Sequence, residues 1–222
     1  DGAQMIKAQS LLLGVNPDNV NGKVKYNTPE SIKVVEGLVK MRNEYKVVPK
    51  GVTSFQHGDV ADFFLSGNVA MVIEPTYLYA RAKSSSIAND FAVALQPVAY
   101  EGGPRTQIQH WNGWALSVYS KNKTAGLVYM DLYRSLPGQT NEFAVENNEV
   151  YLKKAYDQPA SKLVGYNNVL AQITDTVEDF FKGQGQVYKT VISEFQKALL
   201  GSKTAKQAMD DAQKQIDKIM GY

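Results

Sequence analysis

From residue 169 onward, apolar side chains recur at helical spacing, and glycines interrupt them. Val169, Leu170, Ile173, Val177, Phe180 and Phe181 form one stripe, which Gly183-Gln184-Gly185 breaks. Tyr188, Val191, Ile192, Phe195 and Leu199 form the next, and Gly201 stops it. Ala208, Met209, Ala212, Ile216 and Ile219 make the last, which Thr204 and Gln207 open as a capping box. The spacing predicts an all-helical final third. Its period drifts instead of holding to heptads, which argues against a coiled coil.

Upstream the pattern is mixed. Thr28 as N-cap and Pro29 at N1 predict a helix to about Tyr45, with Ile32, Val35, Leu38 and Val39 on one face. A short helix is expected over Asp59–Ser66, closed by Gly67, and another after Pro75, carrying Tyr77 and Tyr79. Val69–Ile73, Phe91–Leu95, Thr106–Gln109 and Trp114–Tyr119 read as strands. Helices are expected near Thr124–Ser135, Gln139–Glu146 and Val150–Tyr156. Few strands and many helices give an α/β protein without the regular alternation of a barrel.

Composition narrows the function. The 222 residues are 44% hydrophobic, enough for one large or two small domains with real cores. A net charge of +2 with no Lys/Arg block does not fit a nucleic-acid binder. Without cysteine there is no disulfide, thiol nucleophile or thiolate metal site. The longest aliphatic run, Leu11-Leu12-Leu13, is far short of a membrane span. The chain opens Asp1-Gly2-Ala3, so a processed N-terminus or a piece of a longer protein is expected.

Searches for catalytic chemistry fail. Only His57 and His110 could serve a hydrolase triad as base, and no Gly-x-Ser-x-Gly motif supplies the nucleophile. His57 with Asp59 and Asp62 is a weak metal set, and Asp210-Asp211 reads as a solvated helix face. No Gly-x-Gly-x-x-Gly, Walker loop or His-Glu-x-x-His occurs. No cofactor is expected.

Aromatic residues say more. Tyr77, Tyr79, Tyr100, Trp111 and Trp114 fall in loops or at element ends, near Glu74, Arg105, Gln107, Gln109 and Asn112. A flat ring with a polar edge suits a sugar's C–H face, and amides, carboxylates and guanidinium groups suit its hydroxyls. The competing reading for each single ring is plain core packing. The run Gln109-His110-Trp111-Asn112-Gly113-Trp114 resists that reading best.

At these residues the chain resembles the family 1 extracellular solute-binding proteins, the maltose-binding-protein-like receptors of bacterial sugar ABC transporters. The likeness rests on four stretches in order. They are the helix after Asn27-Thr28-Pro29-Glu30; Phe63-Phe64-Leu65-Ser66-Gly67-Asn68-Val69-Ala70-Met71; Asn112-Gly113-Trp114-Ala115-Leu116-Ser117-Val118 followed by Ser120-Lys121-Asn122; and Gly201-Ser202-Lys203-Thr204-Ala205-Lys206-Gln207-Ala208. Asn68 stands where the family has Lys, and Asn112 where it has the first Gly of Gly-Gly-Trp.

The resemblance implies a type II periplasmic-binding-protein-like fold, α/β in class. Residues 1–111 and 164–222 would form the C-terminal lobe, and 112–163 a segment returning to the N-terminal lobe, whose first segment is absent. It implies a non-enzymatic receptor that closes about a hinge on a carbohydrate, an oligosaccharide by this reading. Partners would be the membrane permease subunits, and the location periplasmic or extracellular, with a lipid anchor left open. By position, Tyr77 and Trp114 fall at the family's sugar-stacking aromatics, and Glu74 lies at the strand end where it would accept hydroxyl hydrogens. Trp111 and Asn112 lie at the crossing beside the cleft. Tyr188 is similarly placed, although its stripe with Val191 and Phe195 favours a core position. A polyamine-type solute or a glycan-acting enzyme stays as the alternative. The first would want more carboxylates, and the second a second acid near Glu74.

Overall fold

In a computed structural model of the chain, residues 2–108, 114–148, 150–170, 172–173, 175–177 and 180–222 are described. In chain order the elements are helices α1 (Gly2–Leu12), α2 (Pro29–Asn43), α3 (His57–Leu65) and α4 (Leu78–Lys83), strand β1 (Thr106–Ile108), helices α5 (Lys123–Arg134), α6 (Leu136–Asn141), α7 (Lys153–Tyr156) and α8 (Asn167–Leu170), strand β2 (Asp175–Val177), and helices α9 (Gln184–Leu199) and α10 (Ala205–Met220). The chain divides into two compact units. Unit 1 is Asp1–His57, Pro97–His110 and Ile173–Tyr222, and unit 2 is Gly58–Gln96 and Trp111–Gln172.

The α/β balance expected from sequence is corrected: the described residues are mostly helical. Their one sheet is the parallel pair β1–β2, in register Thr106↔Asp175, Gln107↔Thr176 and Ile108↔Val177. Residues 69–73, 91–95 and 114–119 form no strand. An apolar run becomes a strand only when a neighbour takes its N–H and C=O groups, and no described segment pairs with these. Met71 and Ile73 accordingly lie in solvent. The stripe expected to make one helix from Val169 to Phe181 is also corrected. It yields the short α8 and then β2, because β1 captures Asp175–Val177.

Unit 1 is built on α1, α2, α9 and α10. Ile6, Val35, Val187, Val191, Met209 and Ile216 are fully buried at its centre. The expected caps are in place: Thr28 Oγ1 accepts from the Ser31 N–H at 3.2 Å, and Thr204 with Gln207 forms a complete capping box. Sequence reading did not anticipate α1. Its buried face includes Lys7 and Ser10 beside Ala3, Ile6 and Leu11, so the apolar stripe is interrupted. Both polar groups are satisfied. Lys7 pairs with Asp18, and Ser10 Oγ lies 3.1 Å from Ser31 Oγ of α2.

A charged lattice ties α9 to α10. Lys203 Nζ donates to Glu194 Oε2 at 2.6 Å and Asp211 Oδ2 at 2.8 Å, and Lys197 Nζ donates to Glu194 Oε1 at 2.6 Å. Burial pushes the Glu194 carboxyl up, but the hydrogen bonds from Lys197 and Lys203 outweigh it and hold it below its ordinary range.

Unit 2 has a smaller core of Phe143, Val150, Ala155, Val164 and Tyr166. Rings join it edge to face, with Phe143 4.6 Å from Tyr156 and Tyr166 4.8 Å from Tyr79. A side chain at Gly165 would run into the Tyr79 hydroxyl, which accounts for glycine there. Helix α6 is capped by Ser135, whose Oγ accepts from the Gly138 N–H at 3.2 Å. A turn of π-helix follows (Glu142–Glu146), ended by Asn147 in the left-handed region at φ 57°. The Asn147 side chain donates to Phe143 O at 3.1 Å, and its own carbonyl accepts from the Tyr166 hydroxyl at 2.8 Å.

Candidate functional site

Three of the six residues nominated from sequence lie in described parts of unit 2: Glu74, Tyr77 and Trp114. Trp111 and Asn112 lie outside the described residues, as do Gln109 and His110. Tyr188 belongs to unit 1.

Pro75 and Thr76 turn the chain so that Leu78 N–H donates to Pro75 O at 3.1 Å and Tyr79 N–H to Thr76 O at 2.9 Å. This turn opens α4 with Tyr77 at its N-cap. The Tyr77 hydroxyl donates to Glu74 Oε2 at 3.2 Å. Partial burial, then the Glu74 charge and hydrogen bond, raise the Tyr77 hydroxyl above its ordinary range, against the opposing charge of Arg81. Arg81 in turn donates to Asp62 Oδ1 of α3 at 2.6 Å. The pair Glu74–Tyr77 thus offers a half-buried ring beside a carboxylate, a group that accepts hydrogen bonds. Tyr79 does something else: it packs between Phe91 and Tyr166 at 5.5 and 4.8 Å, as core reading expects.

Trp114 remains 53% exposed. Two rings of α5 hold it edge to face: Tyr129 at 5.2 Å and 84°, and Tyr133 at 5.4 Å and 74°. Burial, and then the neighbouring Glu142 carboxylate, raise the Tyr133 hydroxyl above its ordinary range. Sequence reading missed these two tyrosines. The signal was available, since positions four apart share one helix face. Chemically, this is an aromatic platform with polar edges, suited to stacking on a ring that has an apolar face.

Tyr188 lies in a polar network inside unit 1. Its hydroxyl donates to Asp18 Oδ2 at 2.7 Å and accepts from Gln184 Nε2 at 3.2 Å. Among the described residues, no group of three His, Asp or Glu could hold a metal ion. No described helix is long and apolar enough to cross a membrane.

A family model described as bacterial extracellular solute-binding protein matches residues 1–140. The chain belongs to this family. It is a family of solute-binding proteins and not of enzymes, so the alternative of a glycan-acting enzyme is set aside. No curated protein matches the chain.

Solved structures show the fold. A maltose/maltodextrin-binding domain, MalE from Bdellovibrio bacteriovorus, bound to maltotriose, matches with a TM-score of 0.83 at 17% identity, over 98% of this chain and 57% of that one. Maltose-bound T. maritima MalE3 gives 0.79 at 17% identity, over 96% and 56%. An ABC transporter solute-binding protein from Thermotoga lettingae TMO, bound with alpha-D-tagatose, gives 0.78 at 16% identity, over 98% and 56%. The chain therefore has part of the fold of these proteins and spans a little over half of their length.

Proposed function

We propose that the full protein is the receptor component of an ABC importer and captures a carbohydrate, an oligosaccharide in this reading, by hinge closure. Periplasmic or extracellular placement and a membrane permease partner belong to the same proposal. The observation that carries it is the half-exposed Trp114 steadied by Tyr129 and Tyr133. A ring held at fixed orientation in water is poorly explained by core packing and suits the C–H face of a sugar.

In this reading Trp114 and Tyr77 stack on sugar rings, and Glu74 accepts hydroxyl hydrogens. Trp111, Asn112 and Tyr188 are the further candidates for ligand contact. The division into lobes, 1–111 with 164–222 against 112–163, is part of the proposal. The fold relatives lend it support, since those described above were solved with maltotriose, maltose and tagatose.

The test is a titration of the full-length protein with a panel of mono- and oligosaccharides, following tryptophan fluorescence. Trp111 and Trp114 are the two Trp of this sequence, and repeating the titration with Trp114→Phe assigns the response to the proposed site. A saturable change with at least one sugar is expected. A flat response to the whole panel, with a response to a polyamine instead, would overturn the reading.

A further inference from the structure

Helix α4 carries Tyr79 and Lys83 four positions apart, so the two side chains share one face. Both line a cavity of about 310 Å³ within unit 2, together with Phe91, Val93, Gly165 and Val169. It shares no residue with Glu74, Tyr77 or Trp114. Its volume lies at the small end of ligand pockets, which run from about 300 to about 1,000 Å³.

The packing around Tyr79 keeps this space open. Its ring stands edge to face with Phe91 at 5.5 Å and Tyr166 at 4.8 Å. Tyr166 is fully buried, and its hydroxyl donates to Asn147 O at 2.8 Å, so the support behind Tyr79 is fixed in turn. Gly165 contributes by what it lacks, since a Cβ there would meet the Tyr79 hydroxyl. That hydroxyl has no hydrogen-bond partner among the described residues, and Lys83 has no ion-pair partner among them.

The chemistry of the lining selects the guest. A lysine brings a positive charge and only donors, and the phenol beside it donates as well. No lining side chain is a carboxylate or an amide, so a polyol would find little to accept its hydroxyl hydrogens. The complement of this pair is a group that is negative and accepts hydrogen bonds. Phe91, Val93 and Val169 complement an apolar body attached to that group.

We infer that this cavity binds a small carboxylic acid with an apolar body: Lys83 and the Tyr79 hydroxyl take the carboxylate, and Phe91, Val93 and Val169 take the body. The site stands whether or not the protein captures a sugar.

The experiment is calorimetric titration of the full-length protein with phenylacetate. Saturable binding is expected. Acetate, which lacks the apolar body, and 2-phenylethanol, which lacks the charge, should each bind at least about tenfold more weakly. Lys83→Gln should weaken phenylacetate binding by at least about tenfold. Lys83 is exposed, so this change leaves the fold intact. Gly165→Ala, which crowds the Tyr79 hydroxyl, should weaken binding to a similar degree. Should Gly165→Ala fail to fold, the Lys83 variant decides alone. The inference is overturned if phenylacetate shows no saturable binding, or if acetate or 2-phenylethanol binds as tightly. An affinity unchanged in Lys83→Gln, or in a folded Gly165→Ala, overturns it equally.

Discussion

Trp114 shows how a single residue divides between packing and binding. Its edge contacts to Tyr129 and Tyr133 fix the indole's direction, while more than half of its surface stays in water. Truncating an anchor of this kind removes the contact area together with its orientation. Trp114→Ala should therefore weaken sugar binding by at least ~2 kcal/mol, about 30-fold in Kd, with a much smaller effect on melting temperature. Titration and thermal unfolding of the same variant check both halves, and lost stability with unchanged affinity would make Trp114 structural. The nomination of Trp114 was legible because a loop-edge tryptophan beside Gly113 has few core roles open to it. The surroundings of Asp18 were not legible. An aspartate in a turn looks solvated until Lys7, Tyr26 and Tyr188 are brought round it from distant parts of the chain.

At the scale of elements, helices with local punctuation were read well, and those held by distant partners were not. Helices α2 and α10 carry their N-caps in sequence, and both caps form. Helix α10 is also where charge couples to pH. Hydrogen bonds from Lys203, and then from Lys214, lower the Asp211 carboxyl from 3.8 to about 2. A carboxyl depressed on folding contributes stability above its unfolded value and loses it as pH falls through its folded value. Melting temperature should accordingly fall between pH about 4 and about 2, and Asp211→Asn should flatten that part of the profile. An unchanged profile in this variant would assign the acid sensitivity to other carboxylates, among them Glu194 and Asp210, which are also held below their ordinary range.

On the scale of the whole molecule, the apolar surface of unit 2 stands out. Helix α5 has no buried residue, and Leu127, Val128, Tyr129 and Leu132 are each more than half exposed. Soluble proteins seldom present so many large apolar side chains on one short helix. The native chain should therefore enhance the fluorescence of an apolar-surface dye. The double variant Leu127→Lys with Leu132→Lys should cut that signal while changing stability by no more than about 0.5 kcal/mol, the usual range for exposed positions. A dye signal insensitive to both changes would place the apolar surface elsewhere.

The sequence alone determined the capped helices, the absence of cysteine chemistry and the order of motifs that marks the solute-binding family. Helix hydrogen bonds and caps join residues three or four apart, so their pattern is written locally. Tertiary structure decided the rest. Strand β2 exists because β1 lies beside it, and three other apolar runs are not strands because no described segment does the same for them. Lys7 and Asp18 can be buried only because each neutralises the other across a fold that neither residue's neighbours announce. Such partnerships depend on which distant segments meet, and a helix's own periodicity carries no record of that.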